Sequence, residues 1–175
     1  MFRRSSLVVV SFLILVPAWA ALAVPEGLVL YWPFNEGQGT VARDVSGNGN
    51  DGAVEGGALW VPGMLRAAMA FNGVNSVVKG PHIPFNSRSF THAMWVNPSV
   101  LAGDQSIFSQ YQASSANQGL HYRISGAGGL RMGFYSNDLD LPAGTLRAGI
   151  WYHLAFRYDF ESQSRKVYKI GRAHV

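Results

Sequence analysis

The 175-residue chain contains no cysteine. That excludes disulfide staples, thiolate metal sites, a cysteine nucleophile and a lipid-modified cysteine anchor. It also lacks a usable N-glycosylation site, because the one Asn-x-Ser triplet, Asn97-Pro98-Ser99, carries proline in the middle. No stretch shows a sustained helical period with capping residues. Charge is scarce and scattered. The formal +4 includes Arg3, Arg4, Lys169 and Arg172 at the two ends, and setting these four aside leaves 10 of the 14 basic residues against 10 acidic ones. A neutral body without a cationic cluster gives no electrostatic grip on nucleic acid or on anionic lipid.

What is present begins with a leader. Met1-Phe2-Arg3-Arg4 is a short basic start, Leu7 to Trp19 is apolar apart from Ser11, and Ala21-Leu22-Ala23 supplies small residues where a signal peptidase reads. Residues 1–23 therefore read as a secretory signal peptide, too short in its apolar part to span comfortably, with no membrane span left after its removal. Export without cysteines or glycan sites suits a bacterial protein that is secreted or held at the cell surface or in the periplasm. The other end reads as foreign. Ile170-Gly171-Arg172-Ala173-His174-Val175 is the translation of a common sequencing-adapter sequence, so 170–175 is taken as a non-native tail and 24–169 as the domain. About 145 residues suffice for one core.

The body is a succession of short β-rich runs separated by Gly, Pro, Asn and Ser. In Leu28–Phe34 the internal Pro33 suggests an edge position or a strand end, and a glycine-rich loop runs from Asn35 to Gly57. Ala67–Phe71 and Ser76–Lys79 follow, joined through the turn signal Asn72-Gly73. Phe90–Val96, Ser106–Tyr111, Leu120–Ser125, Leu130–Tyr135, Trp151–Tyr158 and Lys166–Tyr168 complete the series, with Gly126–Gly129 closing a hairpin. On Trp151–Tyr158 one face carries Tyr152, Leu154, Phe156 and Tyr158, the other Trp151, His153, Ala155 and Arg157. A wholly apolar face backed by a partly apolar one fits a strand in a two-sheet sandwich. Regular short strands without intervening helices predict an all-β antiparallel sandwich or jelly roll.

Six motifs occur in order: Leu30-Tyr31-Trp32-Pro33-Phe34-Asn35-Glu36-Gly37-Gln38-Gly39-Thr40, Asp44-Val45-Ser46-Gly47-Asn48-Gly49-Asn50-Asp51-Gly52, Ala70–Val78, Phe90–Pro98, Ile107-Phe108-Ser109 and Trp151–Asp159. In this order and spacing the chain resembles the LamG-like (laminin G-like) jelly-roll domains of the concanavalin A-like lectin/glucanase superfamily, from Gly27 to Tyr168. The resemblance implies a two-sheet antiparallel jelly roll. It implies a binding module for carbohydrate or a surface or extracellular protein, often with calcium at the rim. The alternative it carries is an accessory fragment of a larger secreted glycoside hydrolase or adhesin. In that family the domain continues past Tyr168 into further strands, so the resemblance also implies a domain incomplete at its C-terminal end, with an exposed strand edge.

Candidate sites follow from residue chemistry. Calcium needs several converging oxygens, and the candidates are Asp44, Asn72, Asn75, Asp138 and Asp140. The family often has aspartate where this chain has Asn72, Asn75 and Ser76, which leaves less charge for a hard cation. Trp60, Tyr111 and Tyr135 lie near loop or strand ends and are the candidate platforms for stacking on sugar rings. Gly47–Gly52 matches G-x-G-x-x-G, but no strand precedes it and no helix follows, so it reads as a tight loop oriented by Asp44 and Asp51. No catalytic set emerges. Paired carboxylates two apart on one strand are absent, since Asp138 and Asp140 read as turn residues. His153 has no nucleophile beside it and reads as a hydrogen-bonded structural histidine. The expectation is a non-enzyme.

Overall fold

The computed structural model describes residues 25–111 and 116–173, and the expected signal peptide, 1–23, lies outside them. Among the described residues there is no α-helix, only one 3-10 turn at Gly126–Gly128 and twelve strands. No helix there is long and apolar enough to cross a membrane.

The sandwich is built by two facing sheets. β6 (Phe90–Val96), β11 (Trp151–Asp159) and β12 (Ser164–Ala173) form one, in the order β12-β11-β6. β7 (Gln105–Tyr111), β8 (Gly119–Ile124), β9 (Leu130–Gly133) and β10 (Asp138–Leu141) form the other, in the order β10-β9-β8-β7. All their pairings are antiparallel. Alternation sends Tyr152, Leu154 and Phe156 of β11 inward against Leu120, Tyr122, Ile124, Leu130 and Met132, and Leu146 from a loop closes the cluster. Tyr122 and Phe156 stack across the gap at 4.0 Å between ring centroids, 6° from parallel.

The N-terminal part is organised differently. β1 (Val41–Ala42), β2 (Gly52–Glu55) and β5 (Val77–Lys79) form a small sheet in the order β1-β2-β5, while β3 (Leu59–Pro62) pairs only with β4 (Ala67–Ala70). Asn72-Gly73 does make a turn, but the strands on either side join different sheets, so it does not close a hairpin. Trp32 lies over Gly52 and Gly80, where an added Cβ would come within 2.8 Å and 2.7 Å of its ring. A side chain at either position would have to push the indole aside. The indole Nε1 donates to the Asn50 carbonyl at 2.9 Å.

Three expectations are corrected. The run Asn35–Gly57 is not loop throughout, since it holds β1 and β2. Leu28–Phe34 forms no strand. Pro33 has no N–H to give a ladder, and the neighbouring backbone groups are taken by side chains. Ser46 Oγ, Asn48 Nδ2 and Asn50 Nδ2 all donate to the Val29 carbonyl, and Tyr31 N–H donates to Asp44. Asp138–Leu141, by contrast, is strand and not turn, paired with β9 from Asp138↔Gly133 to Leu141↔Leu130. The turn lies earlier. Tyr135 and Ser136 both take positive φ, 60° and 56°, as the two central residues of a tight hairpin turn do. Neither is Gly, Asn or Asp, so the sequence carries no signal for it.

Candidate functional site

Asp138 and Asp140, two apart on β10, share the outer face of the four-stranded sheet with Arg131 of β9. Arg131 Nε and Nη2 bind the two oxygens of Asp140 at 2.7 and 2.8 Å, and Nη1 lies 3.6 Å from Asp138 Oδ2. Asp138 Oδ1 accepts the Phe134 N–H at 3.2 Å. The Arg131 hydrogen bonds hold the Asp140 carboxyl below its usual range, against the opposing effect of partial burial. His121 on β8 is buried beside them, with Nδ1 2.7 Å from the Gly119 carbonyl. Two carboxylates two apart on one strand are thus present, contrary to the expectation. For Asp140 the guanidinium acts in the direction opposite to the raised pKa that a general acid needs.

The five calcium candidates fall in three places. Asp44 serves the 28–50 loop: Oδ1 accepts the N–H of Tyr31 (3.0 Å) and of Ser46 (2.9 Å), and Oδ2 accepts Ser46 Oγ–H (2.8 Å) and Asn50 N–H (2.9 Å). Desolvation alone would raise this carboxyl, but these four bonds outweigh it and hold the pKa at about 2. Asn72 and Asn75 meet in the 72–76 turn. There Asn72 Oδ1 accepts three backbone N–H groups and the Ser76 hydroxyl, while its Nδ2 donates to Gly56 O and Asn75 Oδ1. Asp138 and Asp140 share Arg131. A carboxylate offers about four lone-pair sites, and in Asp44 all four are filled. These residues do not fit a calcium ion, and among the described residues no group of three His, Asp or Glu side chains converges as one.

Of the three aromatic candidates, Trp60 on β3 stands over an open groove of about 310 Å³ lined by Gly37, Trp60, Val61, Pro62, Arg66 and Ala67. Its Nε1 donates to the Gly39 carbonyl at 2.9 Å, and Phe34 meets it edge-on at 6.3 Å. The indole is half-buried and held in one orientation. Tyr135 sits at the β9–β10 turn, 37% exposed. Tyr111 ends β7, and its side chain lies outside the described residues.

Sequence reasoning missed one aromatic group. Trp95 of β6 and His153 of β11 are register partners on the outer face of their sheet, stacked at 5.0 Å and 15°. His153 has no side-chain hydrogen bond among the described residues, so stacking, not hydrogen bonding, fixes it. The signal was available: if Phe90, His92, Met94 and Val96 fill the interior, alternation turns Trp95 outward.

The family model Laminin_G_3, described as the concanavalin A-like lectin/glucanases superfamily, matches residues 72–171, more than half of the chain. The chain belongs to that superfamily. The match runs from the turn before β5 into β12 and so covers nearly all of the sandwich. No curated protein and no solved structure gives a significant match. At the level of the superfamily, such a domain fits a module that binds carbohydrate or protein.

Proposed function

We propose that this laminin G-like domain is an exported, non-catalytic module that binds carbohydrate or a surface protein ligand. The observation that carries this reading is the Trp60 groove. A flat indole, pinned at Nε1 and by Phe34, offers an apolar plate for the C–H face of a sugar ring or for an apolar side chain. Pro62 extends the plate, and the exposed Arg66 stands beside it as a donor for hydroxyl or carboxylate groups. Pre-fixing the plate removes part of the ordering cost of binding. The Arg131 clamp on Asp138 and Asp140 supports the non-catalytic part, and the apolar leader with its Ala21-Leu22-Ala23 site supports export.

The test is binding of the purified chain to a panel of soluble polysaccharides and to a cell-surface protein extract, by calorimetry and co-sedimentation, with Trp60→Ala alongside. The expected result is a ligand whose affinity falls at least tenfold in Trp60→Ala. Absence of binding to every partner overturns the reading, and release of reducing sugar from the bound polysaccharide overturns its non-catalytic part.

A further inference from the structure

We infer that the outer face of the β6-β11-β12 sheet is a second carbohydrate-binding face, separate from the Trp60 groove, and that its ligand is a polysaccharide bearing carboxylates. The inference rests on the carbohydrate reading above but on different residues.

The strand register lays out three rows across this face. Trp95 stands beside His153, Ala93 beside Ala155 and Tyr168, and Thr91 beside Arg157 and Lys166. In the first row the stacked rings form one plate, with Trp95 39% exposed; in the second, Tyr168 is 42% exposed. Large aromatic rings on an outer face gain nothing from the core, and here two of them flank Ala93, which is exposed, and Ala155, which is buried between its neighbours. Neither alanine projects past the Trp95–His153 plate and Tyr168, so an extended chain rests on the exposed rings. The third row is polar. It opens into a depression of about 400 Å³ whose lining includes Ser89, Thr91 and Arg157.

The three rows span about 13 Å along β11, from the four-residue separation of His153 and Arg157. That is longer than one sugar ring, so the ligand is a chain. Its chemistry follows from the two ends of the face. Stacking takes the C–H side of a ring, while Arg157 and Lys166 supply cationic donors. Asp159 lies 3.6 Å from Arg157 and also attracts Lys166, which has no partner within ion-pair distance among the described residues, so two cations stand against one carboxylate. A uronate ring offers both a stackable face and a carboxylate, and an exposed face of this composition attracts anions in a salt-dependent way.

The experiment measures binding of the whole chain to alginate and polygalacturonate, with neutral glucomannan as control, by affinity electrophoresis and calorimetry. Trp95→Ala, Tyr168→Ala, Lys166→Glu and Trp60→Ala are compared, each checked for an unchanged circular dichroism spectrum. Expected are uronate binding that weakens with added salt, a loss of at least tenfold in Trp95→Ala, and a comparable loss in Lys166→Glu. Tyr168→Ala, which touches only the exposed edge strand, serves if Trp95→Ala fails to fold. Uronate binding lost in Trp60→Ala and unchanged in the other three overturns this inference and leaves the proposed function standing. Binding to glucomannan alone overturns the uronate assignment. Binding to no polysaccharide overturns both carbohydrate readings.

Discussion

Between Val29 and Val74 eight large apolar side chains stand exposed, among them Leu59, Leu65, Phe71 and Val74, and the one buried hydrophobic residue is Ala42. Between Leu120 and Phe156 nine apolar side chains are buried in one cluster. The two regions are therefore held by different forces. The sandwich is stabilised by area removed from water, about 25 cal/mol per Å² of apolar surface. The N-terminal region is stabilised by a few polar side chains, each tying several backbone groups. Asp44 and Asn72 each anchor four donors, and Ser46, Asn48 and Asn50 converge on Val29. A hydrogen bond contributes about 1 kcal/mol net, and about 1.5–3 when one partner is charged. Removing a single core ring should thus cost more than removing any one clasp, and the damage should spread differently.

The largest effect is expected at Phe156, which is fully buried and stacked on Tyr122. Phe156→Ala should destabilise the chain by about 3–5 kcal/mol, from lost transfer energy and the cavity left behind. Phe71→Ala, at a ring 52% exposed, should stay within about 0.5 kcal/mol. Urea unfolding followed by tryptophan fluorescence measures both. Equal losses would mean that the N-terminal region carries a core of its own.

Next in size is a pH effect seated in the sandwich. His92 points inward from β6 among the rings of Phe85, Phe90, Phe108 and Tyr122, with Nδ1 2.8 Å from the Tyr122 hydroxyl. Burial lowers its pKa from 6.5 to about 4, and burial likewise pushes the Tyr122 hydroxyl up. The unfolded chain then binds a proton more readily than the folded one, so stability falls as pH drops. The loss should begin near pH 6.5, end near pH 4 and total on the order of 3 kcal/mol. His92→Phe should flatten that window. A slope that persists unchanged in this variant would place its origin elsewhere.

The contrast also explains what was legible in the chain. In the sandwich, face and strand are set by alternation, so β6, β8 and β11 could be read nearly to the residue, and β11 showed its buried face outright. Where side chains replace ladders, alternation carries no information. The run Leu28–Phe34 looks like a strand by composition, but its partners are Asp44, Ser46, Asn48 and Asn50, some 13 to 21 positions away. β10 was hidden for a different reason, because its turn uses Tyr135 and Ser136 in a conformation that their side chains do not advertise. Of the candidate site residues, Trp60 could be found as an aromatic near a strand end. Its groove could not, because it depends on the β3–β4 hairpin bringing Arg66, and the preceding loop bringing Gly37, beside the indole. Trp95 was readable from alternation, yet composition alone assigns most tryptophans to the core.

A smaller and more local effect is expected at Asp44. Asp44→Ala strands the N–H groups of Tyr31, Ser46 and Asn50 in a partly exposed loop, where water takes over some of the lost bonding. The global cost should be about 1–2 kcal/mol. Hydrogen exchange distinguishes it from a core mutation: amides of residues 28–52 should lose protection while those of β8, β9 and β11 keep theirs. Uniform loss of protection would show that the clasp and the sandwich unfold as one unit.

The smallest expected effect is that of calcium. An ion bound only by the folded state at about 100 times its Kd adds about 2.7 kcal/mol and raises Tm visibly. Binding at Asp44 would first have to displace four protein donors from the carboxylate, and at Asn72 four donors from a neutral amide, each of which also fixes the backbone around it. Binding at Asp138 and Asp140 would have to displace Arg131 and bring a dication beside that same guanidinium. Each exchange gives up bonds that hold the fold, so the ion recovers little. Millimolar calcium should leave the Tm of the chain unchanged, and EDTA should leave both Tm and ligand binding unchanged. A calcium-dependent rise in Tm that disappears in Asn72→Ala would instead assign the 72–76 turn a metal, and would mean that its hydrogen bonds rearrange when the ion arrives.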